Sequence, residues 1–127
     1  MDTGIKKKFI LVGEDENFYA NIYKVKLAKE GFEVQVVGDG EMLLKAARDK
    51  KPDLIILDLI MPVKDGFETL AELKADPELK NVKVVVCSNL GQQEDIKRAK
   101  EMGALEYLTK AGLSIQEMVD KIRGYVK

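Results

Sequence analysis

Histidine is absent from the 127 residues. Its absence excludes His-based catalytic triads and histidine metal sites. Cysteine occurs once, at Cys87, so no intrachain disulfide can form and a reducing compartment is compatible. No apolar run approaches the length of a membrane span. Lys6-Lys7-Lys8 followed by Phe9-Ile10-Leu11-Val12 resembles a signal start, but the apolar part is short and runs into Glu14-Asp15-Glu16. A cytoplasmic location without membrane insertion is therefore expected. An excess of either charge is also missing: the net charge of −1 gives no global field to draw in nucleic acid or an anionic membrane. Linkers, repeats and low-complexity tracts are lacking, so one domain is expected over 1–127, with 1–7 as a frayed lead-in and nothing left for an output domain.

What the chain does have is an alternation of short apolar runs and helical stripes. The most telling stretch is 51–69, KPDLIILDLIMPVKDGFET. Pro52 ends whatever helix precedes it. Leu54, Ile55, Ile56 and Leu57 form an unbroken apolar run, the pattern of a strand buried on both faces of a parallel sheet. Other strands are expected over 8–13, 32–37, 82–87 and 104–108. Helices are expected over 17–30, 41–49, 65–75, 91–102 and 114–126. In the first helix the inward stripe is read as Phe18, Ile22, Val25, Leu27 and Ala28. In the last, Ser114 and Glu117 spell a capping box, and Ile115, Met118, Val119, Ile122 and Val126 form one face. Five strands alternating with five helices predict a doubly wound α/β fold with a five-stranded parallel sheet.

The strand ends carry the chemistry. The first is followed by Glu14-Asp15, the third by Asp58, the fourth by Ser88 and the fifth by Lys110. In the strand order 2-1-3-4-5 the first and third strands are neighbours at the switch point, so Glu14, Asp15 and Asp58 converge. Three like charges in one crevice raise pKa values or recruit a cation. Oxygen ligands without His or Cys favour a hard ion, Mg²⁺ or Mn²⁺. A hydroxyl at Ser88 and an ammonium at Lys110 suit phosphoryl transfer, and a carboxylate can itself be the nucleophile.

Taken together, FILVGEDEN, PDLIILDLIMPVKDGFE, ADPELKNVKVVV leading to Ser88 and GALEYLTK resemble the response-regulator receiver family over essentially the whole chain. The resemblance implies a stand-alone, chemotaxis-regulator-like switch of two-component phosphorelay signalling rather than an enzyme with a turnover substrate. By resemblance, Asp58 accepts a phosphoryl group from a histidine kinase or phosphotransfer protein. Asp15 is then a direct metal ligand, Glu14 holds the metal through water, and the Ile60 backbone carbonyl faces it. Ser88 takes the phosphoryl-sensing position, Lys110 the salt-bridging position and Tyr107 the aromatic switch. The fourth helix, fifth strand and fifth helix would carry the signal to a protein partner, with no direct nucleic-acid contact. Self-phosphorylation from small donors and slow self-dephosphorylation are expected.

Four departures from the family pattern stand out. Gly13 stands where a β-branched residue is usual, Asn89 replaces a small Ala, Val63-Lys64 replaces Gly-Met, and Ala111 replaces a proline after Lys110. Competing functions fit less well. A flavin-binding domain of the same topology needs a hydroxyl-rich phosphate loop, and Glu14-Asp15-Glu16 would repel a phosphate. An aspartyl-phosphate phosphatase needs a second Asp at position 60, which is Ile. A degenerate receiver that only binds partners would lack Asp58 or Lys110, and both are present.

Overall fold

Leu54–Leu57 forms β3, the central strand, with all four side chains buried in the computed structural model, which describes residues 7–126. The remaining strands are β1 (Phe9–Gly13), β2 (Glu33–Val37), β4 (Lys83–Ser88) and β5 (Glu106–Thr109). All pair in parallel, in the order β2-β1-β3-β4-β5. The helices are α1 (Asn17–Ile22), α2 (Gly40–Asp49), α3 (Gly66–Ala75), α4 (Gln93–Glu101) and α5 (Ile115–Val126). The fold is the doubly wound α/β sheet that the alternation implied. The frayed lead-in expected over 1–7 lies, apart from Lys7, outside the described residues.

Side chains alternate across each strand, so one sheet feeds two cores. Leu11, Ile55, Leu57, Val84 and Val86 face α2, α3 and α4, where they meet Leu43, Leu70, Leu73 and Ala99. Ile10, Val12, Leu54, Ile56, Val85 and Cys87 face α1 and α5, where they meet Tyr23, Leu27, Met118, Val119 and Ile122. Cys87 is a buried packing residue. The capping box forms as expected: the Glu117 N–H donates to Ser114 Oγ at 3.1 Å and the Ser114 N–H to Glu117 Oε1 at 3.0 Å. Among the described residues, no helix is long and apolar enough to cross a membrane.

The first helix departs from its expected stripe. After Ile22 it widens into a π-helical stretch, Tyr23–Leu27. Tyr23 and Leu27 are buried, whereas Phe18 is 65% and Val25 53% exposed, and Ala28 is exposed as well. The stripe that wins runs through Tyr19, Tyr23 and Leu27. Tyrosine has a large apolar body, and the Tyr23 hydroxyl reaches Met118 Sδ at 3.6 Å, so burying it leaves no orphaned polar atom.

Candidate functional site

Register brings the strand ends together. Gly13 sits beside Leu57, so Glu14 and Asp58 leave adjacent strands at the same level. Leu57 sits beside Val86, and Ser88 beside Thr109, so Ser88 and Lys110 emerge at the same edge of the sheet. Glu14, Asp58, Ser88 and Lys110 are the site's buried polar residues, each exposed by 4% or less. Asp15 lies beside them on the solvent side.

Asp58 is the hub. One carboxylate oxygen, Oδ1, accepts from the Ile60 N–H at 3.0 Å and from Ser88 Oγ at 3.0 Å. The other, Oδ2, accepts from Lys110 Nζ at 2.8 Å. Lys110 also donates to Glu14 Oε1. A buried ammonium therefore bridges the two buried carboxylates. Burial opposes its charge, but the hydrogen bonds and charges of Asp58 and Glu14 together outweigh burial and hold the Lys110 pKa above the usual lysine value.

Glu14 shows the cost of crowding carboxylates in a crevice. Its pKa is pushed up to about 7, chiefly by burial. The negative charge of Asp58 adds to this, and Lys110 and the Glu16 N–H work against it. Repulsion alone was the expected cause; desolvation is the larger one. One ligand oxygen from each of Glu14, Asp15 and Asp58 lies within 4.8 Å of the others. An all-oxygen set of this span fits a hard divalent ion that keeps part of its water shell. The main chain of Ile60 stands next to Asp58, held by its own N–H.

Ser88 and Tyr107 lie on one hydrogen-bonded path. Ser88 Oγ accepts from the Leu90 N–H at 3.3 Å, and the Tyr107 hydroxyl donates to the Leu90 carbonyl. Tyr107 is 8% exposed, and its pKa is pushed up to about 12, first by burial and then by the charges of Asp95 and Asp58. The ring is thus already turned inward. One participant was not foreseen: the ring of Tyr19, on α1, lies 4.2 Å from Lys110 Nζ.

The family model for the response regulator receiver domain matches residues 10–123. The chain belongs to the response-regulator receiver family. Among its curated relatives, the DNA-binding response regulator MtrA of Mycolicibacterium smegmatis is 32% identical over all 127 residues, which cover 53% of that protein. The chain thus spans about half the length of the curated relatives it matches. Among solved structures, the phosphorylated cyanobacterial phytochrome response regulator RcpA is 33% identical, with a TM-score of 0.83 over 94% of this receiver and 91% of RcpA. The Mn²⁺-bound form of response regulator Rcp1 is 29% identical, with a TM-score of 0.81 over 92% of this receiver and 90% of Rcp1. As a receiver, this domain belongs to two-component signalling and to the phospho-accepting switches.

Gly13 and the peptide after Lys110 are two of the departures from the family pattern with a structural account. A Cβ on Gly13 would meet Leu43 Cδ1 at 2.8 Å and Met61 Sδ at 3.1 Å, so neighbouring side chains already fill the space a larger residue would take. The peptide after Lys110 is trans, in a short 3-10 turn, Lys110–Gly112. Asn89 is exposed, so its amide faces solvent.

Proposed function

We propose that this receiver takes one phosphoryl group on Asp58 from a phosphohistidine, in a reaction that needs Mg²⁺ or Mn²⁺. The observation that carries this reading is the convergence on the Asp58 carboxylate of Lys110, Ser88 and the Ile60 N–H beside an acidic pair. A carboxylate oxygen of Asp58 attacks phosphorus, the P–N bond breaks, and the imidazole, already protonated on its other ring nitrogen, leaves as the neutral ring with the P–N electron pair. Lys110 neutralises charge on the transferred group, and Ser88 donates to one of its oxygens. Glu14, Asp15, Asp58 and the Ile60 carbonyl would hold the divalent ion, which supplies charge neutralisation to the phosphoryl oxygens. The kinase could be replaced by a phosphotransfer protein or, slowly, by a small acyl phosphate. Output passes through the α4-β5-α5 face to a protein partner. Phosphorylation in RcpA and Mn²⁺ in Rcp1 support the reading.

Intact mass after acetyl phosphate treatment tests it. One phosphoryl adduct is expected with Mg²⁺, none with chelator and none for Asp58→Asn. Undiminished labelling of Asp58→Asn would refute the site. The label should also be long-lived. Hydrolysis needs a water in line with the leaving carboxylate, and we place the apolar side chains of Ile60 and Leu90 on either side of that approach. Neither can hydrogen-bond a water. Positioning worth about 1.4 kcal/mol corresponds to a tenfold rate. The Ile60→Asn, Leu90→Glu double variant should therefore lose label about tenfold faster; an unchanged first-order decay removes these side chains from the account.

A further inference from the structure

We propose that Tyr19 is a positioning residue for Lys110, its ring face holding the ammonium while the carboxylates around it change partners. This role rests on the phosphoryl-acceptor reading of Asp58. The Lys110 ammonium has three N–H donors. Two are engaged by Glu14 and Asp58, and the Lys110 side chain has no exposed surface. The ammonium also lies over the Tyr19 ring, whose centroid is 4.2 Å from Nζ. A cation over an aromatic face is attracted by the ring quadrupole, most strongly where water is excluded.

β5 ends at Thr109, and Lys110 opens a short turn in which its carbonyl accepts from the Leu113 N–H at 3.3 Å. Ala111 and Gly112 are exposed, and nothing lies within 4 Å of where a Gly112 Cβ would stand. With the backbone set by that turn, the ammonium at the end of a flexible four-carbon stem is placed by its own contacts. Two of those contacts are carboxylates that must turn to new partners when Asp58 is phosphorylated. The Tyr19 ring is neutral and stays as it is. Its plane is in turn braced by the Phe18 ring, packed edge-on at 5.2 Å and 85°. That gives the exposed Phe18 a purpose that core packing does not. Holding the ammonium ready reduces what must be reorganised as charge develops on the transferred phosphoryl group.

The test compares Tyr19→Leu and Tyr19→Phe in the full chain. In the metal-free protein, the ring should shift the Lys110 ε-methylene protons upfield in proton NMR. The shift should persist in Tyr19→Phe and vanish in Tyr19→Leu. At saturating Mg²⁺, labelling by acetyl phosphate should be about fivefold to tenfold slower for Tyr19→Leu, with Tyr19→Phe recovering most of the rate. In a Lys110→Ala background, Tyr19→Leu should change the rate by less than about twofold, because the two residues act as one unit. Three results would overturn the role: a parental rate for Tyr19→Leu, a Tyr19→Phe rate as low as that of Tyr19→Leu, or the full slowing by Tyr19→Leu when Lys110 is already gone. A parent that takes no label overturns the Asp58 reading and this role with it. A labelled parent with an indifferent Tyr19→Leu overturns the role of Tyr19 alone.

Discussion

At Glu14, burial and the Asp58 charge act against the carboxylate, and Lys110 and the Glu16 N–H act for it; the balance leaves the pKa at about 7 rather than the ordinary 4.5. Between those values the folded protein binds a proton that the unfolded chain has released. Stability from this group is therefore full below the unfolded value and is lost as pH rises through about 7. In the metal-free receiver, urea unfolding at pH 5 and pH 8 should show a loss on the order of 2–3 kcal/mol that Glu14→Gln largely removes. Added Mg²⁺ should restore stability at pH 8, since ion binding favours the ionised carboxylates. Equal pH slopes for parent and Glu14→Gln would sink this account. The charged residues of this site were legible because each follows a strand end, and parallel register aligns those ends. Tyr19 was not legible. Its partner comes from the far end of the chain, and no spacing within α1 signals a contact that only the β5 turn creates.

The segment between β3 and α3 shows what an element can store. Val63 adopts φ +66° and is 78% exposed. A β-branched residue there is strained, and burial gives nothing back. Lys64 explains why the turn holds: its ammonium pairs with both Glu41 and Glu72, tying the loop to α2 and α3. Gly66 closes the same loop. A Cβ there would lie 2.4 Å from Leu59 Cα and 2.5 Å from the Asp58 carbonyl oxygen, so the backbones touch where any side chain would stand. Val63→Gly should raise stability by about 1 kcal/mol, relief of strain exceeding the added chain entropy. Gly66→Ala should lower it by about 3 kcal/mol or more, because backbone rather than a side-chain tip must move. Urea unfolding checks both, and a destabilised Val63→Gly would mean the strain is illusory. The Lys64 ion pairs thus anchor the loop at the position where the family usually has Gly-Met. The sequence reading misjudged α1, because two overlapping stripes compete there and tyrosine was not counted as apolar. In α5 the expected face is buried at Met118, Val119, Ile122 and Val126, while Ile115 in the first turn is 37% exposed.

Across the whole molecule, the site and the α4-β5-α5 face are joined by one path of hydrogen bonds. Asp58 Oδ1 holds Ser88 Oγ, Ser88 Oγ accepts from the Leu90 N–H, and the Leu90 carbonyl accepts from the Tyr107 hydroxyl. On the phosphoryl-acceptor reading, Ser88 turns toward the new group and vacates space that Tyr107 can fill. Ser88 and Tyr107 are linked through Leu90, and Tyr107 is 8% exposed. On that reading, phosphorylation acts by shifting the balance between packings the chain samples. The Tyr107→Phe variant separates the two ends of the path, since it keeps the ring and loses the donor to Leu90. In the parent, phosphorylation of Asp58 should shift amide resonances at Ser88–Leu90, through α4 and in β5. In Tyr107→Phe the shifts at Ser88–Leu90 should remain, while those in β5 and at the Ala104 end of α4 shrink by at least about half. Equal shifts across α4 and β5 in both proteins would show that the signal travels by packing against the sheet and not through the tyrosine hydroxyl.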